Sequence, residues 1–300
     1  MKIFMYVFCV VVWGLNFIVV KIQGTPISLE VSLSYRLLGA ALMFLVLAYV
    51  MRPAGRPSRK DILPIVIFGM SNFALSYLLL YYATFWISAA LVTLIFSLKT
   101  VLTPITLHVF LKDRLHPRIL LGGVIGIIGV GILVYPLLGS ISNTTHLKGL
   151  GIAMLGTLIA AVGDASSARN ARRGINPVYS NSVGFSVAAL FLLAISAFQG
   201  KSFYLPTSAS YLVSLAYLMV LASFVAWMFY LKLVEQIGAA VSSYMVALFP
   251  LVGGIASVAI GDSKPTLYLL LGCMLSSIGA AIALGFRLPS RSLSLPNLPS

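Results

Sequence analysis

Residues 87–111 read ISAALVTLIFSLKTVLTPITLHVFL, twenty-five residues with a single Lys or acidic side chain, Lys99. At 1.5 Å rise per residue, a run of this length crosses the roughly 30 Å hydrocarbon core of a bilayer as one helix. The stretch also opens a repeat. Ile87, Ala89 and Ala90 return as Ile237, Ala239 and Ala240, 150 positions later. At the same offset Leu120-Leu121-Gly122 matches Leu270-Leu271-Gly272, and Ile128-Gly129 matches Ile278-Gly279. Ungapped, residues 87–134 and 237–284 agree at 11 of 48 positions, more than this composition gives by chance.

Working outward, nine further apolar runs appear: 3–21, 30–51, 62–81, 119–138, 149–167, 178–198, 210–231, 238–260 and 266–286. The composition agrees: 60% of residues are hydrophobic, 9% are charged, and the mean hydropathy is +1.04. A water-facing domain carries about 25% charged residues, and a disordered chain needs low hydrophobicity, so both classes are excluded. The first run holds Trp13-Gly14-Leu15-Asn16-Phe17 and no small-residue cleavage site, so it reads as a retained helix, not a signal peptide. The expected fold is all-α and membrane-embedded. It has ten helices in two five-helix units, 3–138 and 149–286, and a flexible cytoplasmic tail at 287–300. An odd number of spans per unit makes the second enter the membrane in the opposite sense. That inverted repeat provides two nearly equivalent shapes, hence a route to alternating access.

The net charge of +14 suggests an acidic partner until it is mapped. With the N-terminus inside, fourteen basic residues fall on inner segments, four (Lys21, Lys148, Lys201, Lys264) on outer segments, and Arg36 and Lys99 within spans. That asymmetry is an orientation signal, placing both termini in the cytoplasm of a multi-pass protein of the cell's inner membrane. No nucleic acid partner is expected. Cys9 and Cys273 sit in apolar runs, and His108, His116 and His146 are scattered, so neither a metal site nor a disulfide is indicated. No phosphate loop or dinucleotide glycine pattern occurs, and no polar cluster suggests an enzyme. Without a cofactor or an ATPase domain, transport would draw on a gradient or on exchange.

Several of these stretches resemble the EamA type of the drug/metabolite transporter superfamily. The similarity lies in Ala89 through Phe110-Leu111-Lys112-Asp113-Arg114-Leu115, and in Ser223-Phe224-Val225-Ala226-Trp227 through Gly261-Asp262 with Gly272 and Gly279. The opening Trp13-Gly14-Leu15-Asn16-Phe17 and Tyr35-Arg36-Leu37-Leu38 are similar too. The resemblance implies export, or less often uptake, of a metabolite by alternating access around a central cavity. This chain departs from the family pattern at Lys99-Thr100, where relatives carry an apolar residue and then proline.

Charged and amide groups within spans are costly and mark candidate sites. Lys99, about twelve residues into its span and near the midplane, reads as a counter-charge for a carboxylate or phosphate, as a proton site, as the partner of a structural acid, or as a cap on backbone carbonyls freed by Pro104. Asp164 is the one acid well inside a span. It reads as the carrier of a coupling proton, or as an ion-pair partner at a helix end. Asn16 and Trp13 share a helix face, and Asn16 lies close to the repeat counterpart of Asp164. Tyr77, Phe96, Trp227 and Tyr244 lie deep enough to line a cavity for a flat or amphipathic molecule. These seven residues other than Asp164 form the expected substrate site. Tyr81, Tyr82 and Trp86 read as an interfacial belt, and Arg36 as structural, reaching toward headgroups. The glycines from Gly122 to Gly131 read as close-packing residues or the face of a homodimer. The leading reading is a permease exporting an amino-acid-like or amphipathic metabolite. Uptake or exchange of an anionic metabolite is the alternative, and a lipid-modifying membrane enzyme a third reading.

Overall fold

A computed structural model describes residues 1–138, 144–237 and 244–284; the tail expected at 287–300 lies outside them. Helices account for the architecture of these residues. They are α1 (Lys2–Gly14), α2 (Asn16–Gln23), α3 (Leu29–Met51), α4 (Arg59–Trp86), α5 (Ala89–Leu111), α6 (Pro117–Leu138), α7 (Thr144–Arg172), α8 (Pro177–Phe198), α9 (Ala209–Tyr230), α10 (Phe249–Ala259) and α11 (Leu267–Leu284). Among the described residues six are long and apolar enough to cross a membrane, and α1 with α2, bent by 40°, make a seventh if the pair is counted as one crossing. Shorter apolar helices, Pro117–Leu133, Phe249–Ala259 and Leu267–Gly279, stand at the three remaining expected spans.

Local chemistry sets the boundaries. The break after α4 falls at Ile87, which is extended, and Ser88 then caps α5 by accepting the Leu91 amide at 3.3 Å. Pro177 starts α8 behind Asn176, whose side chain accepts the Val178 amide. Expected run 62–81 therefore extends to Trp86.

The two halves carry matching irregularities. A π-helical segment interrupts α4 at Met70–Leu75, and another interrupts α9 at Tyr217–Val225. Helix α5 breaks at Leu98, where the chain relaxes to φ −61°, ψ −15° before Lys99. The second half breaks at Leu248, 150 residues on, with φ −93°, ψ −11° before Phe249. Packing follows the same correspondence: α3 lies on α8, α5 on α10 and α6 on α11. The contact of α4 with α7 answers that of α1 with α9.

Small residues let these helices approach. A Cβ on Gly279 would lie 2.5 Å from the Gly122 carbonyl oxygen and 2.6 Å from the Gly126 amide nitrogen. Gly122, Gly126 and Gly129 of α6 thus lie close against α11 within the chain. Both obstructing atoms are backbone, so neither side can yield cheaply. Gly279→Val is expected to lower stability by about 1–3 kcal/mol, the usual range for overpacking. Gly131, with nothing within 4 Å of its would-be Cβ, should accept alanine with no loss. Thermal melts in detergent check both; an unshifted Gly279→Val melt would contradict the close crossing.

Outward faces are apolar, as lipid contact requires. On α3 the exposed large side chains include Leu38, Leu42, Leu45 and Val46, and on α6 Leu120, Leu121, Val124, Ile127 and Ile128. A patch of this extent in water would mark an interface or aggregation.

Candidate functional site

Arg36 lies on the opposite side of α3 from Leu45 and is 1% exposed. It points into the bundle, where its Nε donates to Ser223 Oγ at 2.8 Å. Its Nη1 donates to the Tyr81 hydroxyl and its Nη2 to Asn16 Oδ1, both at 3.1 Å. The guanidinium sits 4.7 Å above the centre of the Tyr77 ring. These partners come from the first crossing, α4 and α9. All are neutral. The four ion pairs among the described residues are Lys21–Asp262, Lys99–Asp164, Arg172–Asp113 and Arg173–Asp61. A buried guanidinium carries five N–H donors, and three neutral acceptors leave its charge uncompensated.

This placement corrects two expectations. Arg36 does not reach toward headgroups, and Tyr81, 1% exposed, is no part of an interfacial belt. Tyr82, partly buried, donates its hydroxyl to Glu30 in the first turn of α3. A guanidinium surrounded by oxygens and aromatic faces avoids the larger penalty of facing lipid.

Aromatic rings pack around Arg36. Phe73 meets Tyr77 at 6.1 Å and Trp227 at 5.6 Å between ring centres. Trp13 contacts Trp227, Tyr230 and Phe249 edge-on. Its indole N–H donates to the Ala222 carbonyl at 2.8 Å. Ala222 lies in the π-helical segment of α9, where displaced hydrogen bonding frees carbonyls for outside donors. The Trp227 indole nitrogen is buried without a hydrogen-bond partner. So is Asn72 Nδ2, in the π-helical segment of α4 against Gly163. The Trp227 donor reaches the Arg36 neighbourhood through Phe73 and Tyr77. An unpartnered donor and an uncompensated positive charge suit an anionic group.

The second charged element lies at the α5 break. Lys99 Nζ is 3.0 Å from Asp164 Oδ1, and Thr103 donates to Asp164 Oδ2 at 2.8 Å. The ammonium also lies 5.4 Å from the Phe96 ring centre. Thr106 donates to the Ala161 carbonyl at 2.9 Å, fixing α5 on α7 beneath the pair. Side-chain exposures of 15% for Lys99 and 25% for Asp164 mean that neither is sealed. Of the readings left open for Lys99, pairing with an acid is thus present in this conformation. The counterpart contact in the other half is aromatic: Phe249 follows its own break and meets Trp13 at 6.3 Å.

The chain itself links the two elements. Asn16 holds Arg36, and the next residue, Phe17, meets Phe96 at 5.7 Å. Phe96 in turn faces Lys99. The structure thereby brings Lys99, Phe96, Asn16, Trp13, Tyr77, Trp227 and Asp164 into one connected region. Tyr244 begins the turn before α10, and its side chain lies outside the described residues.

At the Lys21 end, Asp262 pairs with Lys21 at 3.0 Å and accepts the Ala89 amide at 2.7 Å. Ser257 donates to the same carboxylate at 3.0 Å. These contacts join α2, α5 and α10 at this end. At the other end Asp113 holds Arg172 at 2.6 Å.

Comparison with known proteins gives the lineage. A solved crystal structure, described only as that of a protein, shares 18% identity with this chain and superposes with a TM-score of 0.64. The match covers 94% of this chain and 96% of that one, and shows a common fold. No curated protein matches significantly. Residues 1–135 and 147–285 each match the EamA-like transporter family, and the two matches coincide with the two sets of corresponding helices. This chain belongs to the EamA-like transporter family.

Proposed function

We propose that this chain is a secondary active transporter of ten spans, arranged as two inverted five-helix repeats. It exports a small amino-acid-like metabolite across the inner membrane by alternating access, with both termini in the cytoplasm. The observation that carries this reading is the buried Arg36, with no acid partner among the described residues, linked through Asn16, Phe17 and Phe96 to the partly exposed Lys99–Asp164 pair. A zwitterion satisfies both elements. Its carboxylate meets Arg36 and the Trp227 indole donor, and its ammonium competes with Lys99 for Asp164. Trp13, Tyr77, Phe96 and Trp227 offer aromatic walls to an apolar side chain, with Asn16 orienting Arg36. Asp164 also remains the candidate carrier of a coupling proton.

The site's surplus of one positive charge favours a second reading, exchange or uptake of an anionic metabolite. Counterflow in proteoliposomes separates the two. The substrates compared are an aromatic amino acid, its decarboxylated amine and its deaminated acid. Saturable exchange of the amino acid, with the amine inert, is the expected result. Exchange of the acid alone establishes the anionic reading, and non-saturable leak of all three would identify a passive pore.

A further inference from the structure

At the end of the bundle remote from Lys21, a groove of about 280 Å³ runs between α3 and α8 on the outer surface. Leu45 and Tyr49 form one wall, Tyr179 and Val183 the other, and Arg52 and Arg56 stand at its mouth. On each helix the wall residues are four apart, so each pair projects on one face. Leu45 and Tyr49 are 46% and 73% exposed, so the groove opens where lipid tails lie.

The arginines are held in place. Arg52 ends α3 in the left-handed conformation, φ 43°, ψ 52°, and its guanidinium lies 5.4 Å from the centre of the Tyr49 ring. Gly55, at φ 80°, turns the chain so that its carbonyl accepts the Asn176 amide at 2.9 Å. Any Cβ there would collide with the Gly174 carbonyl. This contact docks the arginine loop onto the start of α8. Arg56 Nε then donates to the Tyr179 hydroxyl at 3.0 Å. Among the described residues no carboxylate pairs with either arginine.

We infer that this groove binds one anionic phospholipid, its phosphate between Arg52 and Arg56 and an acyl chain along Leu45 and Val183. Guanidinium groups take phosphate oxygens as paired hydrogen bonds, and the apolar walls continue away from them into the membrane. A zwitterionic lipid brings a second cation toward two arginines and fits worse. The inference rests on membrane embedding alone, so failure of the transport reading leaves it standing, and the reverse.

Native mass spectrometry of the full chain in detergent tests it, using phosphatidylglycerol and phosphatidylcholine with identical tails. Retention of one phosphatidylglycerol, preferred by about tenfold, is expected, since each basic group near a membrane surface contributes modestly. Arg52→Gln with Arg56→Gln should remove the preference, whereas Arg59→Gln with Lys60→Gln should keep it. Val183→Trp fills the groove without touching charge and should also lower retention. Equal retention of both lipids overturns the assignment, as does unchanged retention in Val183→Trp. Displacement by inorganic phosphate alone also overturns it, because the acyl chain would then contribute nothing.

Discussion

Replacing Arg36 with methionine should weaken substrate binding by about 100-fold or more. Hydrogen bonds to charged groups are worth roughly 1.5–3 kcal/mol each, and every 1.4 kcal/mol is about tenfold in affinity. Two guanidinium donors on a carboxylate therefore reach that range. Arg36→Lys should recover little, because an ammonium cannot serve Ser223, Tyr81 and Asn16 and still present a planar fork. Loss of activity alone would not separate binding from structure, since those three partners join three crossings. Asn16→Asp does separate them. A carboxylate at the Asn16 Oδ1 position, 3.1 Å from Arg36, supplies the missing counter-ion from within the protein. If Arg36 receives the substrate's anionic group, Asn16→Asp abolishes binding while the melting temperature holds or rises. A variant that melts higher and still binds normally would reduce Arg36 to a structural residue.

Hydropathy marked the apolar helices, six of them long enough to span among the described residues, because a bilayer demands apolar runs of a fixed length wherever they occur in the chain. It also exposed Lys99 and Asp164, which stand out in such runs whatever their neighbours do. Their pairing depended on whether α5 and α7 are adjacent, and that is a tertiary fact. Arg36 shows the same limit more sharply. Seven residues into its span, it lies within reach of the headgroups, so its position permits either direction. One signal was present: Leu38, Leu42 and Leu45 mark the lipid-facing side of α3, and Arg36 projects away from it. That periodicity points Arg36 inward, but its partner Ser223 is 187 residues distant. The α5 break was less legible still. Leu98 is neither glycine nor proline, and the nearest proline, Pro104, lies six residues on. The π-helical segments depend on one surplus residue being tolerated by neighbouring helices, for which single residues carry no mark.

Lys99→Met should abolish net transport while sparing exchange. In the present conformation Asp164 is neutralised by Lys99 at 3.0 Å and steadied by Thr103. In Lys99→Met a substrate ammonium that takes the lysine's place pairs Asp164, so the loaded carrier reorients with no unpaired charge at this site. The empty carrier has no such substitute. Without Lys99 it must turn over with an isolated carboxylate, and an uncompensated charge near the membrane centre costs roughly 2.5–3.5 kcal/mol. At 1.36 kcal/mol per tenfold in rate, the empty return slows by about 100-fold or more. Counterflow therefore persists in Lys99→Met, with tighter substrate binding because the internal competitor is gone, and net flux is lost. Asp164→Asn should eliminate both activities, since it removes the group that takes the ammonium or the proton. The double variant, Lys99→Met with Asp164→Asn, carries no buried charge at this site. It should melt higher than either single variant, a non-additivity expected of residues in direct contact. Equal loss of exchange and net flux in Lys99→Met would place the lysine on the substrate itself. The ion pair would then be a resting contact and not the device that returns the empty carrier.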